Sequence, residues 1–175
     1  MTIQFTGSKL LAFGREIPAT CVVRNELNGW RKRDQVVITQ GQTVPNGLAH
    51  YPRQFPPGEW EITRVADCAK DGEDAEFWPV WMDTNAWQMV RIWNLDEEGN
   101  YYGPTFRWVT GRGYGIHHAR YSKGGILVPS NTTHGCINLA SPDDAQWLGD
   151  ETKTARGLHQ RVYIKVPPWN EWEGT

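Results

Sequence analysis

The residues best suited to chemistry lie close together in one stretch, GIHHARYSKGGILVPSNTTHGCINL, from Gly115 to Leu139. It begins with adjacent histidines, His117 and His118, passes a glycine-rich polar segment and closes on Thr133-His134-Gly135-Cys136. A thiol with an ordinary pKa of about 8.5 is mostly protonated at neutral pH, and an imidazole partner turns it into a strong nucleophile. His134 stands two positions before Cys136, so the two side chains share a face only where the backbone is extended. Gly135, between them, lets a substrate carbonyl approach the backbone closely. Backbone N–H groups around Gly135 and Cys136 are then the expected donors to a tetrahedral oxyanion, each typically worth about 3 kcal/mol. No Asp adjoins His134 in the sequence.

Taken singly these residues have plainer explanations. A cysteine alone is most often a buried, inert thiol. His117 and His118 read equally as cross-strand polar residues, and His50 and His159 stand apart from any motif. The histidines also admit a zinc peptidase or amidase, but no HExxH is present and no acid lies between His117 and Leu139. Ten tryptophans admit a wall-binding module whose indole faces stack on sugars. Trp60, Trp78, Trp81, Trp87 and Trp93 mostly follow strand alternation, however, which favours packing over binding for most of them.

The elements that must position this stretch are predominantly β. TIQF and KLLAF, separated by Gly7-Ser8, read as a hairpin. Ala19–Val23 and Gln35–Thr39 are β-branched runs, and turns fall at Pro45-Asn46-Gly47 and Pro56-Pro57-Gly58. WEITRV (Trp60–Val65) alternates as a half-buried strand does. Asp67–Glu76 is acidic and loop-like, after which Phe77–Met82, Trp87–Leu95, Tyr101–Thr110 and Tyr114–His118 resume strand character. Ser141-Pro142-Asp143-Asp144 opens a helix, with an N-cap serine, proline at the first position and acids facing the dipole. RVYIKV (Arg161–Val166) alternates as a closing strand.

The stretch as a whole resembles the L,D-transpeptidase catalytic domain. That family's pattern is a His, 14 to 17 residues, Ser or Thr, His-Gly-Cys, a hydrophobic residue and Asn or Arg. Here 15 residues separate His117 from Thr133, and Ile137-Asn138 completes the run. A helix after the cysteine and a final strand, Ser141–Val166, also match, so the motif-bearing part spans about residues 86–166 of a single domain covering 1–175. The residue after the first histidine, commonly Gly, is His118 here, which leaves open which histidine faces the site.

The resemblance implies a mostly β domain, a sandwich or mixed sheet, with one or two short helices after the catalytic cysteine. It implies a cysteine-dependent peptidoglycan enzyme, transpeptidase or carboxypeptidase, with no cofactor and no metal. Cys136 would attack the L-centred bond of a tetrapeptide stem, His134 would carry the proton, His117 would line the oxyanion or acceptor side and Gly135 would shape the loop. Thr133, Asn138, His118, Arg120 and Tyr114 are the expected substrate-side residues, and Thr133 and Asn138 would also hold the motif loop through side-chain hydrogen bonds; Arg107 and Arg112 are further candidates to hold an incoming amino acid.

A chain of 175 residues with 39% hydrophobic residues can bury one real core. Its net charge of −2, with Arg31-Lys32-Arg33 the densest basic run, offers no case for nucleic acid. No apolar run approaches the roughly 18 residues of a membrane helix, so membrane insertion is not expected. The opening MTIQFTGSKLLAFG lacks the pattern of a signal peptide. The expectation is therefore a leader removed, or delivery into a neighbour's periplasm by a secretion system as an antibacterial effector with a cognate immunity protein. Peptidoglycan stem peptides are the expected partners and the periplasm or cell wall the place of action. Three cysteines leave Cys21 and Cys68 as an even pair for a disulfide once Cys136 is set aside.

Overall fold

The computed structural model describes residues 1–22, 37–39, 42–44, 54–95, 98, 101–109, 114–131, 133 and 135–173. The N-terminal hairpin pairs β1 (Thr2–Phe5) with β2 (Lys9–Ala12) across Gly7-Ser8, as expected, and β3 (Arg15–Thr20) follows. This third strand ends where a strand over 19–23 was expected to be only beginning. Alternation explains the early start: Ile17 and Ala19 point inward while Glu16 and Thr20 face out. Further along the chain come β4 (Val37–Thr39), β5 (Gln42–Val44), β6 (Gly58–Asp67), β7 (Val80–Thr84), β8 (Gln88–Leu95) and β9 (Tyr101–Val109). A 3-10 turn, Ala75–Phe77, occupies part of the segment expected to be strand from Phe77.

The motif region holds β10 (Gly115–His117), β11 (Arg120–Lys123), β12 (Ile126–Pro129) and β13 (Ile137–Leu139). The segment between His118 and Thr132, read as a loop, contains the β11–β12 hairpin turning on Gly124-Gly125. Both glycines have positive φ, +61° and +81°, as a tight two-residue hairpin turn requires. Next comes α1 (Pro142–Gly157), and β14 (Tyr163–Val166) closes the chain's regular structure before a 3-10 turn at Trp169–Glu171.

Eight strands close in the order β1-β14-β6-β7-β10-β13-β3-β2, while β5-β4-β8-β9 form a separate sheet. The mostly-β class therefore takes the form of a mixed sheet, with parallel and antiparallel pairs, closed into a barrel rather than a sandwich. Closure comes from β14, which pairs parallel with β1 on one side and antiparallel with β6 on the other. Ile3, Leu10, Ile17, Ile62, Met82, Ile116, Ile137 and Ile164 are fully buried within the core cluster. A barrel of eight strands is just narrow enough for such side chains to fill.

Helix α1 begins as its sequence predicts: the Ser141 hydroxyl accepts from the Asp144 N–H at 3.1 Å, with Pro142 in the first turn. It packs on β7 so closely that a Cβ on Gly149 would lie 2.8 Å from Val80 Cγ1. Capping by serine is typically worth about 1 kcal/mol. Ser141→Ala should therefore lower the urea midpoint by an equivalent amount while leaving the denaturant slope unchanged, measured by far-UV circular dichroism.

Candidate active site

Strand register places one row of side chains across the outside of the barrel. Ala66 pairs with Trp81, Trp81 with His117, His117 with Asn138, and Asn138 with Thr20. Paired positions present their side chains on the same face. His117, 4% exposed, lies over Trp81 with ring centroids 5.1 Å apart and planes tilted by 33°; Phe77 meets its edge at 4.9 Å. The Trp81 indole is held by its Nε1–H donating to Asp83 Oδ1, while Arg64 Nε donates to the other carboxylate oxygen at 2.6 Å. Gly115 makes room for the ring, since a Cβ there would lie 2.6 Å and 2.7 Å from two Trp81 carbons. Cys136, 6% exposed, belongs to the same buried cluster as Trp81 and Cys68, with Phe77 packed against it.

The chain around Cys136 is pinned by side chains rather than by sheet bonds. Thr133 Oγ1 donates to the Cys136 carbonyl at 2.8 Å and accepts from the Gly135 N–H at 3.2 Å. The Thr133 N–H in turn donates to the Val22 carbonyl at 2.8 Å. Gly135 has φ +127°, a conformation that side chains rarely adopt. Its carbonyl accepts from the Cys21 thiol at 3.3 Å, and Cys21 Sγ accepts from the Phe55 N–H at 3.3 Å. Burial pushes the Cys21 thiol up to about 12, against the pull of the Phe55 N–H, and nearby Cys136 adds to the rise. Cys21 thus stays protonated and donates. At the other end of the loop, Asn138 Oδ1 accepts from the Ala119 N–H at 2.8 Å and Nδ2 donates to the Ser130 carbonyl at 2.7 Å.

Several expectations change on this geometry. The Gly135 N–H is directed into the Thr133 hydroxyl, so it is not placed as an oxyanion donor. Thr133 and Asn138 spend their hydrogen bonds on the loop that carries Cys136. Tyr114 is fully buried in the core, its ring 5.6 Å from that of Phe55, which makes it a packing residue. Arg120 clamps the hairpin to the preceding loop by donating to the carbonyls of Lys70, Ala75 and Leu127, and its guanidinium lies 5.5 Å from the Trp78 ring. His118 is buried with Nδ1 2.9 Å from the Leu139 carbonyl. It lines a cavity of about 470 Å³ on the Thr20 side of the row.

His134 lies outside the described residues, as does Arg112; for Arg107 only the strand backbone is described. Cys21 and Cys68 are not joined by a disulfide: the first bonds Gly135 and Phe55, and the second points its thiol at the Ala66 carbonyl, 3.7 Å away. Among the described residues, no group of three or more His, Cys, Asp or Glu is arranged to hold a metal ion. Trp81, Phe77, Asp83 and Cys21 were not among the expected site residues. The signal for Trp81 was its strand alternation; that for Cys21 was absent, because its contact spans 114 residues.

A thiol at the head of a barrel strand, beside a strand-borne histidine and behind a threonine-pinned turn, defines a mostly-β domain built around a single short motif. Residues 23–164 match the YkuD family, the L,D-transpeptidase catalytic domain, and the chain belongs to that family. Neither a curated protein nor a solved structure matches it. The chain is accordingly an enzyme of the L,D-transpeptidase type, whose function concerns peptidoglycan. No helix among the described residues is long and apolar enough to cross a membrane.

Two outcomes follow from the packing. Gly115→Ala drives a methyl group into the Trp81 ring and the Met82 carbonyl, an overpacking that should cost about 1–3 kcal/mol in urea denaturation. Alkylation of Cys136 by iodoacetamide should also accelerate as the indole is pushed aside; an unchanged rate would mean that Trp81 does not cover the thiol. The raised pKa of Cys21 gives a signed pH effect. The unfolded thiol ionises near pH 9 while the folded one holds its proton to about 12, so this contribution is intact below pH 9 and is lost as pH rises toward 12. The loss should approach about 1.4 kcal/mol per pH unit in that window, and Cys21→Ser should flatten it.

Proposed function

We propose that Cys136 is the nucleophile of a peptidoglycan acyl transfer. Its Sγ attacks the carbonyl of the L-centred bond at position three of a tetrapeptide stem. The C–N bond to the terminal D-residue breaks, a thioester forms, and the thiol proton passes through His134 to the departing amine. An amine then resolves the thioester in transpeptidation or D-amino-acid exchange, or water resolves it in L,D-carboxypeptidation. His117 lines the reacting carbonyl, and the reaction belongs at the cell wall, in the periplasm of a Gram-negative cell.

The observation that carries this reading is the seat of Cys136. Its carbonyl and the preceding peptide are fixed by one hydroxyl while its side chain shares a buried cluster with Trp81, on which His117 rests. Such pinning fixes the backbone from which the thiol projects, which favours a near-attack geometry. The choice of His117 over His118 rests on the same packing, because His118 is turned to the Leu139 carbonyl.

Incubation with disaccharide tetrapeptide, with and without excess D-amino acid, should give product masses that distinguish hydrolysis from exchange. Cys136→Ala and Cys136→Ser should keep the fold and lose all turnover; substantial cleavage by Cys136→Ala would sink the mechanism. His134→Ala should slow acylation by orders of magnitude and move the alkylation profile of Cys136 to higher pH. An unmoved profile would remove His134 as its partner. His117→Ala should reduce turnover more than His118→Ala.

A further inference from the structure

Cys21 is a thiol that the acyl transfer above does not use, 3% exposed and placed just past the end of β3. It is held at two points and holds a third. The Phe55 N–H donates to its Sγ at 3.3 Å, Gln54 Nε2 donates to its carbonyl at 3.2 Å, and its own S–H donates to the Gly135 carbonyl at 3.3 Å. We propose that Cys21 is a positioning residue, a role that rests on the acyl-transfer reading above: by holding the Gly135 carbonyl it sets the plane of the Gly135–Cys136 peptide and aims the Cys136 N–H at the oxyanion formed when the thiol attacks.

Peptide planarity carries the first step. The Gly135–Cys136 bond is trans. In a trans peptide the C=O and the following N–H share one plane and point in opposite directions. A carbonyl turned toward Cys21 therefore sends the Cys136 N–H the other way. Cys21 belongs to the main core cluster, whereas Cys136 lies in the separate cluster with Trp81 and Cys68. The N–H is thus turned from the core, toward the side on which the thiol meets a substrate. The Thr133 hydroxyl bonds the Gly135 N–H and the Cys136 carbonyl, so it fixes the peptides on either side of this one. The peptide between them is held by Cys21. Gly135 has no Cβ to limit its rotation, so that plane has to be set from outside.

A thiol is a weak donor, and two features strengthen this one. Donation from the Phe55 N–H into the sulfur polarises the S–H, as chains of hydrogen bonds do. Burial pushes the Cys21 thiol up to about 12, with Cys136 adding to the rise, so Cys21 keeps its proton while the nucleophile ionises. Loss of an oxyanion donor typically costs about 10²–10³ in kcat; a donor that stays but is free to turn forfeits part of that.

The test compares two reactions of one thiol in the full chain. Acylation by p-nitrophenyl acetate passes through an oxyanion, whereas alkylation by iodoacetamide displaces iodide and does not. Cys21→Ala and Cys21→Ser leave side chains of similar volume and differ in the donor, which separates the hydrogen bond from the packing. With Cys136→Ala as the blank and far-UV circular dichroism reporting the fold, Cys21→Ala should slow ester acylation and tetrapeptide kcat at least tenfold. KM and the alkylation rate of Cys136 should stay within twofold. Cys21→Ser should exceed Cys21→Ala at least fivefold in acylation. Cys21→Val, which fills the space without a donor, serves as a second donor-free variant held to the same outcomes. Acylation untouched in the donor-free variants, acylation and alkylation falling together, or no recovery in Cys21→Ser overturns the positioning role. Ester acylation that follows the expected pattern without tetrapeptide turnover upholds that role and overturns the peptidoglycan reaction. Tetrapeptide turnover that persists in Cys136→Ala overturns both.

Discussion

The site depends on the parallel pairing of β10 with β13, which sets His117 beside Asn138 and Ile116 beside Ile137. Parallel neighbours cannot be joined by a tight turn; the chain must travel back a strand's length before it can pair, which takes a dozen or more residues. Residues 118–136 make that journey, and β11 and β12 fold it back upon itself as a hairpin. The separation of His117 from the Thr-His-Gly-Cys run is thus the length of a crossover. Shortening it would break the register, and with it the alignment of the histidine and the thiol.

Holding a thiol at the end of such a crossover takes bonds that the sheet does not supply. Thr133 bridges Gly135 and Cys136, Asn138 reaches both ends of the hairpin, and Cys21 grips Gly135 from more than a hundred residues away, just past the end of β3. Each is a modest bond of about 1 kcal/mol net, yet removing one partner of a buried pair typically costs about 1–3 kcal/mol. Cys21 also shows what burial alone does to a thiol in this neighbourhood, holding its proton up to about 12. Cys136, one loop away, is also buried. In the proposed mechanism His134 takes the proton from that thiol.

Much of this was legible in local chemistry. The N-terminal hairpin, the Ser141 cap and the closing strand follow from turn residues, capping and alternation, all of which act over a few positions. The Thr133–Asn138 run announced the thiol for the same reason. What escaped was set at long range. Whether strands form a sandwich or a barrel is decided by β1 meeting β14, a pairing between opposite ends of the chain. The Gly124-Gly125 hairpin was within reach, since paired glycines between short β-prone runs signal a tight turn, but the polar residues around it disguised the strands. Arg120 and Tyr114 carry groups that could serve a substrate as readily as a fold. Only the carbonyls around the one and the core around the other distinguish those uses.

The closed barrel also constrains how a peptide can be held. An open sheet offers an edge strand whose unpaired N–H and C=O groups accept an extended peptide. In the barrel every strand already has two neighbours, so this face offers no edge to extend. On the proposed reading, the stem peptide must lie across the strands and be recognised by side chains, and the row from Ala66 to Thr20 runs in that direction. Cavities of about 260 Å³ and 470 Å³ stand at its two ends, with His117 between them. They differ in kind: aromatic and acidic beside β6 and β7, neutral and rich in hydroxyl and amide groups beside β3 and β13. A peptide laid across such a row meets chemically unlike surroundings on either side of the thiol. That asymmetry is what an acyl transfer requires, because the group retained on sulfur and the group that departs must not exchange places.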